Sequence, residues 1–137
     1  METGTPLCRF EAFQVVPSSA QLEKDFLYIV ASLNANSSDP TAADIVQVAK
    51  TNGVLPVAVN HYQEYPGRGM GGLVTLPDEK SARAALFGSL DFLDQCRMQT
   101  PDLLESTLRD WKADAQIRIF LAGWDGQVRG ALKFKYI

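Results

Sequence analysis

Residues 116–137 read QIRIFLAGWDGQVRGALKFKYI, and this stretch decides the fold. Ile117, Ile119 and Leu121 alternate with Arg118 and Phe120, the two-residue period of a half-buried strand. Gly123-Trp124-Asp125-Gly126 follows, and Asp-Gly tolerates the positive φ angles of a tight hairpin turn. Beyond it Val128, Gly130, Leu132, Phe134 and Tyr136 alternate with Arg129, Ala131, Lys133 and Lys135. The returning strand is therefore predicted to bury one face and present a basic one.

Working outward from this hairpin, Thr100-Pro101 starts a helix lined by Leu103, Leu104, Leu108 and Trp111, with proline at the first position, where its missing amide costs nothing. Pro77-Asp78 reads as the cap of a longer helix from Glu79 to about Met98, with Ala82, Ala85, Leu86, Leu90 and Leu93 on its apolar face. Two further strands are predicted, Val54 to His61 and Leu73 to Leu76, joined by the glycine-rich connection Gln63 to Gly72. Asn52-Gly53 stops a short helix that carries Ile45, Val46, Val48 and Ala49 and begins at Thr41. Asn34 to Pro40 is polar and reads as a loop. Ser18 and Gln21 form a capping box for a helix with Leu22, Phe26, Ile29, Val30 and Leu33 on one face. Phe10 to Val16 is an extended segment ended by Pro17. The expected architecture is one α+β domain over residues 1–137, with residues 1–17 as an N-terminal arm. It has a four-stranded antiparallel sheet, helices packed on one face, and extra short helices.

Composition bounds the function. Hydrophobic residues make up 46% and charged residues 21% of the 137, the balance of a single folded domain. Thirteen basic groups face 16 acidic ones, net −3, which disfavours a nucleic-acid partner. No apolar run approaches the roughly 20 residues needed to span a bilayer, so no membrane partner is expected. Cys8 and Cys96 are too few for a disulfide framework and lack metal-ligand spacing, so buried free thiols in a reducing compartment are expected. Met1 to Pro6 has neither a basic nor an apolar region of a secretion signal, which points to the cytoplasm or a plastid stroma.

Catalytic constellations are absent from the sequence. His61 is the sole histidine, no Gly-x-Ser-x-Gly elbow exists, and neither cysteine sits in a nucleophile motif. No catalytic residue, cofactor site or metal site is expected. Asp91/Asp94 and Asp102/Glu105 share helix faces at i, i+3 spacing, the pattern of a solvated acidic face. Gly67-Arg68-Gly69-Met70-Gly71-Gly72 is rich enough in glycine to cradle phosphate, but it lacks the Gly-Lys-Ser/Thr ending of a P-loop and leads into a strand. Arg68 to Leu76 also has the outline of an RNA-binding strand, without the aromatic residues on which bases stack. Charge is divided along the chain. Residues 109–137 carry 6 basic and 3 acidic groups, while residues 1–108 carry 7 and 13, so a basic hairpin face could orient docking on an acidic partner.

Four segments together resemble the small subunit of Rubisco. They are Phe10-Glu11-Ala12-Phe13-Gln14-Val15-Val16-Pro17 with Tyr28-Ile29-Val30; Asn52-Gly53-Val54-Leu55-Pro56; Leu76-Pro77 with Cys96 beyond it; and Ile117-Arg118-Ile119 with Gly123-Trp124-Asp125, Gln127-Val128 and Phe134-Lys135-Tyr136. The family's tryptophan-rich second strand is missing, and Ser32–Thr51 and Asp102–Asp114 stand as insertions relative to it. The resemblance implies a non-catalytic subunit in plastid carbon dioxide fixation by the photosynthetic Calvin cycle. It would cap a large-subunit octamer in a hetero-oligomer of eight large and eight small chains. Its partner interface would include Phe10, Glu11, Phe13, His61, Tyr62, Tyr65, Arg68, Arg118 and Trp124. Two other readings stay open: a stand-alone small-molecule-binding or small enzyme domain with a pocket near His61 and Arg68, and an RNA-binding module.

Overall fold

Six segments, not four, pair into one antiparallel sheet in the computed structural model, which describes residues 8–136. The elements in chain order are β1 (Cys8–Val15), α1 (Ala20–Asn34), α2 (Pro40–Thr51), β2 (Val59–Tyr65), β3 (Gly69–Val74), β4 (Arg83–Gly88), α3 (Leu90–Gln95), α4 (Asp102–Lys112), β5 (Ile117–Trp124) and β6 (Gln127–Tyr136). The strand order across the sheet is β1-β6-β5-β4-β3-β2. Residues 1–7, the Cys8 side chain and Ile137 lie outside the described residues, and with them the expectations for the N-terminus and for the Cys8 thiol.

The two additional strands have separate causes. The expected arm is strand β1, paired with β6 through Phe10↔Phe134 and Phe13↔Leu132. A bulge between Phe10 and Ala12 breaks strict alternation, so both phenylalanines turn toward the main core. The second is β4, within the segment expected to be a long helix. Its Ala85 and Leu86 fit a helical period with Ala82, Leu90 and Leu93, but β3 and β5 bond to it from both sides. Tertiary pairing overrides helix propensity here, and only Leu90–Gln95 remains helical, capped by Ser89. Residues 54–58 form no strand, and the predicted glycine-rich connection holds the end of β2, the turn at 66–68 and the start of β3.

Other helix limits follow from capping chemistry. Ser19, not Ser18, accepts the Leu22 amide and starts α1. Asp39, not Thr41, caps α2, with Pro40 in its first turn. The β5–β6 turn is as expected, with Asp125 at φ 54° and Gly126 at φ 84°.

Both faces of the sheet carry helices, which corrects the one-sided layering. Phe26, Ile29, Leu33 and Ile45 of α1 and α2 pack on Phe87, Leu132 and Phe134 in the main core. Phe92, Leu93, Leu104 and Leu108 of α3 and α4 pack on Leu121, Val128 and Ala131 in a second one. The expected basic face of β6 is thereby covered. Lys133 lies over the Trp111 ring at 5.4 Å, and a bulge near Arg129 turns Val128 into the second core. No described helix is long and apolar enough to cross a membrane.

Candidate functional site

The α1–α2 connection and the β2–β3 hairpin come together over β4 and β5, leaving a cavity of about 130 Å³. One water needs only roughly 10–15 Å³ of such space, so this cavity has room for an organic group. Its walls come from Asn34, Asp39 and Thr41 on one side and Glu64 to Met70 on the other. Ile45, Phe87 and Phe120 supply apolar surface, and Arg118 reaches it from β5.

Glycine makes the approach of the strands possible. Gly69 and Gly88 face each other across β3 and β4. A Cβ on Gly69 would run into the Phe87 carbonyl and the Phe92 ring, and one on Gly88 into the Arg68 carbonyl. Any side chain at either position would push the hairpin off β4, and the cavity wall with it.

The polar groups are mostly held by one another. Tyr62 Oη donates to Glu64 Oε1 at 2.8 Å, and Ser37 Oγ donates to Glu64 Oε2 at 2.9 Å. This three-residue tie fastens the α1–α2 connection to β2. Burial of Tyr62, reinforced by the carboxylate of Glu64, pushes the phenol up to about 12. Asp39 Oδ1 accepts the Thr41 amide at 2.9 Å. Asn34 is different. Its Nδ2 donates to the Val30 carbonyl at 2.7 Å, while Oδ1 has no partner among the described residues. Among the described residues no fully buried side-chain nitrogen or oxygen lacks a partner, so the free Oδ1 of this 2% exposed residue is not sealed in the core, and Asn34 lines the cavity.

Of the residues singled out from sequence, the structure gathers Tyr65, Arg68 and Arg118 on this cavity, with Tyr62 directly behind Glu64. It does not bring the rest there. Phe10 and Phe13 are half-buried in the main core, and Glu11 is exposed on β1. Trp124, expected on the surface, is 3% exposed between Arg83 and Arg129, whose guanidinium carbons lie 5.3 and 5.4 Å from its ring. His61 sits at φ 56° in the β2 irregularity and lines a wide, shallow depression on the opposite face, with Gly71, Leu86 and Cys96. Cys96 is an exposed free thiol, not a buried one. Sequence reasoning missed Asn34, Asp39, Thr41 and Glu64. The one available signal was the polar stretch Asn34 to Pro40, read only as a loop.

No protein-family model matches this sequence, and no curated protein matches it. Solved structures do. The N-domain of HMA6, a copper-transporting P-type ATPase, is similar with TM-score 0.68 at 15% identity, over 95% of this chain and 100% of that one. The N-domain of HMA8, also a copper-transporting P-type ATPase, gives 0.68 at 17% identity, over 90% and 97%. The catalytic domain of the CPx-ATPase CopB-B, described with its conformational changes upon nucleotide binding, gives 0.58 at 18% identity, over 96% of this chain and 38% of that one. At such identities the likeness speaks for the fold alone. It overturns the Rubisco small-subunit reading, together with its large-subunit partner and its place in carbon fixation and photosynthesis.

Proposed function

We propose that residues 8–136 form a nucleotide-binding domain of the kind found as the N-domain of metal-transporting P-type ATPases, and that the cavity beneath the glycine hairpin is its site. The observation that carries this reading is the free Asn34 Oδ1 at a cavity whose apolar surface comes from Ile45, Met70, Phe87 and Phe120. A planar heterocycle can bury its faces against such apolar and aromatic surface, and an exocyclic amine can donate to the open carbonyl oxygen. The likeness to N-domain structures supports the same reading independently of the cavity. Attachment to a transporter belongs to the proposal too, since one matched catalytic domain is much longer than this chain.

The test is a titration of the isotopically labelled chain with ATP, followed through backbone amide signals. Saturable shifts concentrated in residues 34–41 and 67–70 are expected. An unperturbed spectrum at millimolar ATP would overturn the assignment.

A further inference from the structure

Two guanidinium groups at this cavity have no partner among the described residues. The two ion pairs among the described residues both belong to Arg83, which bonds Asp25 and Glu79 away from the cavity. Neither the Arg68 nor the Arg118 guanidinium donates a hydrogen bond to a described residue. Each lies over an aromatic ring instead. The Arg118 guanidinium carbon is 4.6 Å from the Phe120 centroid, and that of Arg68 is 5.8 Å from Phe92. A guanidinium over a ring keeps its in-plane N–H donors free. Those donors form the fork that matches phosphate oxygens.

Their origins place them on different walls. Arg68 comes from the turn between β2 and β3, and Arg118 from β5, two strands away across β4. The nearby carboxylates keep their charge but form no ion pair with either arginine. Glu64 uses both oxygens on Tyr62 and Ser37, and Asp39 caps α2. The whole chain is net −3, so attraction for an anion must come from local donors.

We infer that Arg118, with Arg68, is the phosphate-reading element of the site and makes it select nucleoside polyphosphates over nucleosides by direct side-chain contact. This inference rests on the proposed nucleotide reading and adds to it the residues that set phosphate dependence.

Calorimetric titration of the 137-residue chain in EDTA separates the two. The ligands are adenosine, AMP, ADP and ATP, on wild type, Arg68→Gln, Arg118→Gln, Arg118→Lys and the double glutamine variant. Thermal unfolding reports whether each variant is folded, and Arg68→Gln, in an exposed turn, guards against loss of fold in Arg118 variants. Affinity should rise along the ligand series in wild type. Each glutamine variant should weaken ATP by roughly tenfold, the scale of one charge-assisted contact, with adenosine unchanged. Arg118→Lys, which keeps charge but not the fork, should recover only part of the loss. Equal binding of adenosine and ATP, or glutamine variants that leave ATP affinity intact, would overturn the inference while sparing the nucleotide reading. Absence of binding by every ligand would overturn both.

Discussion

The two halves of the sheet are built differently. Strands β6 and β5 are covered on both faces, and β1 closes their edge. Leu132 and Phe134 are fully buried toward α1, and Leu121, Val128 and Ala131 are buried toward α3 and α4. Strands β4, β3 and β2 are covered by α1 and α2 on one face, while His61, Gln63, Leu73 and Ala84 border an open depression on the other. β3 contains Gly69, Gly71 and Gly72 in six residues, which removes side-chain packing and adds chain entropy to be lost on folding. One half is packed on both faces, and the other gives up packing to let strands approach closely. The candidate site lies on the second half but leans on β5, where the two meet.

The largest effect should come from breaking the covered half. Phe26 is 0% exposed, stacks on Phe13 at 6.1 Å and packs against Gly130. Phe26→Ala should cost about 3–5 kcal/mol, a cavity-forming loss. That is a large share of the ~5–15 kcal/mol that holds a typical domain folded. Leu73→Ala, on the open half, should cost under about 1.5 kcal/mol because the residue is only partly buried. Urea unfolding midpoints at unchanged slope measure both. Equal costs would mean that the halves do not differ as described.

The same contrast governs what can be read from the sequence. The β5–β6 hairpin is legible because its signals are local: alternation of Ile117, Ile119 and Leu121, and an Asp125-Gly126 turn with both φ angles positive. β4 is illegible because its determinants are remote. Within Arg83–Gly88 only Gly88 opposes a helix, and the flanking strands decide. The Rubisco resemblance arose from the local signals, since an apolar opening strand and an Asp-Gly hairpin recur in unrelated α+β domains. Tyr65, Arg68 and Arg118 could be singled out as polar or aromatic residues beside glycine or strand motifs. Asn34 and Asp39 could not, because their significance lies in the hairpin that folds over them from some thirty residues away.

A smaller effect is expected at the tie that holds this connection to the open half. Tyr62→Phe removes the hydrogen bond to Glu64 and should cost about 0.5–1.5 kcal/mol at neutral pH. The folded-state phenol titrates near 12 instead of 10, so the unfolded chain releases its proton first as pH rises. The bond's contribution is full below pH 10 and is lost as pH climbs through about 12. Wild type and Tyr62→Phe should therefore differ in denaturation midpoint at neutral pH and converge near pH 12. A gap that stays constant across this window would show that the tie does not carry the shift.

The smallest structural change offers the sharpest view of the site. Asp39 is exposed at the cavity rim, where it caps α2 through the Thr41 amide. Asparagine caps a helix about as well as aspartate, so Asp39→Asn should shift stability by no more than a few tenths of a kcal/mol. It removes a negative charge from a rim that also holds Arg68 and Arg118. Exposed charge interactions are worth about 0.2–1 kcal/mol, so ATP should bind up to roughly fivefold tighter. Adenosine, which carries no charge, should bind unchanged, and added salt should shrink the gain. An equal gain for adenosine would place the effect in the geometry of the α1–α2 connection and not in its charge.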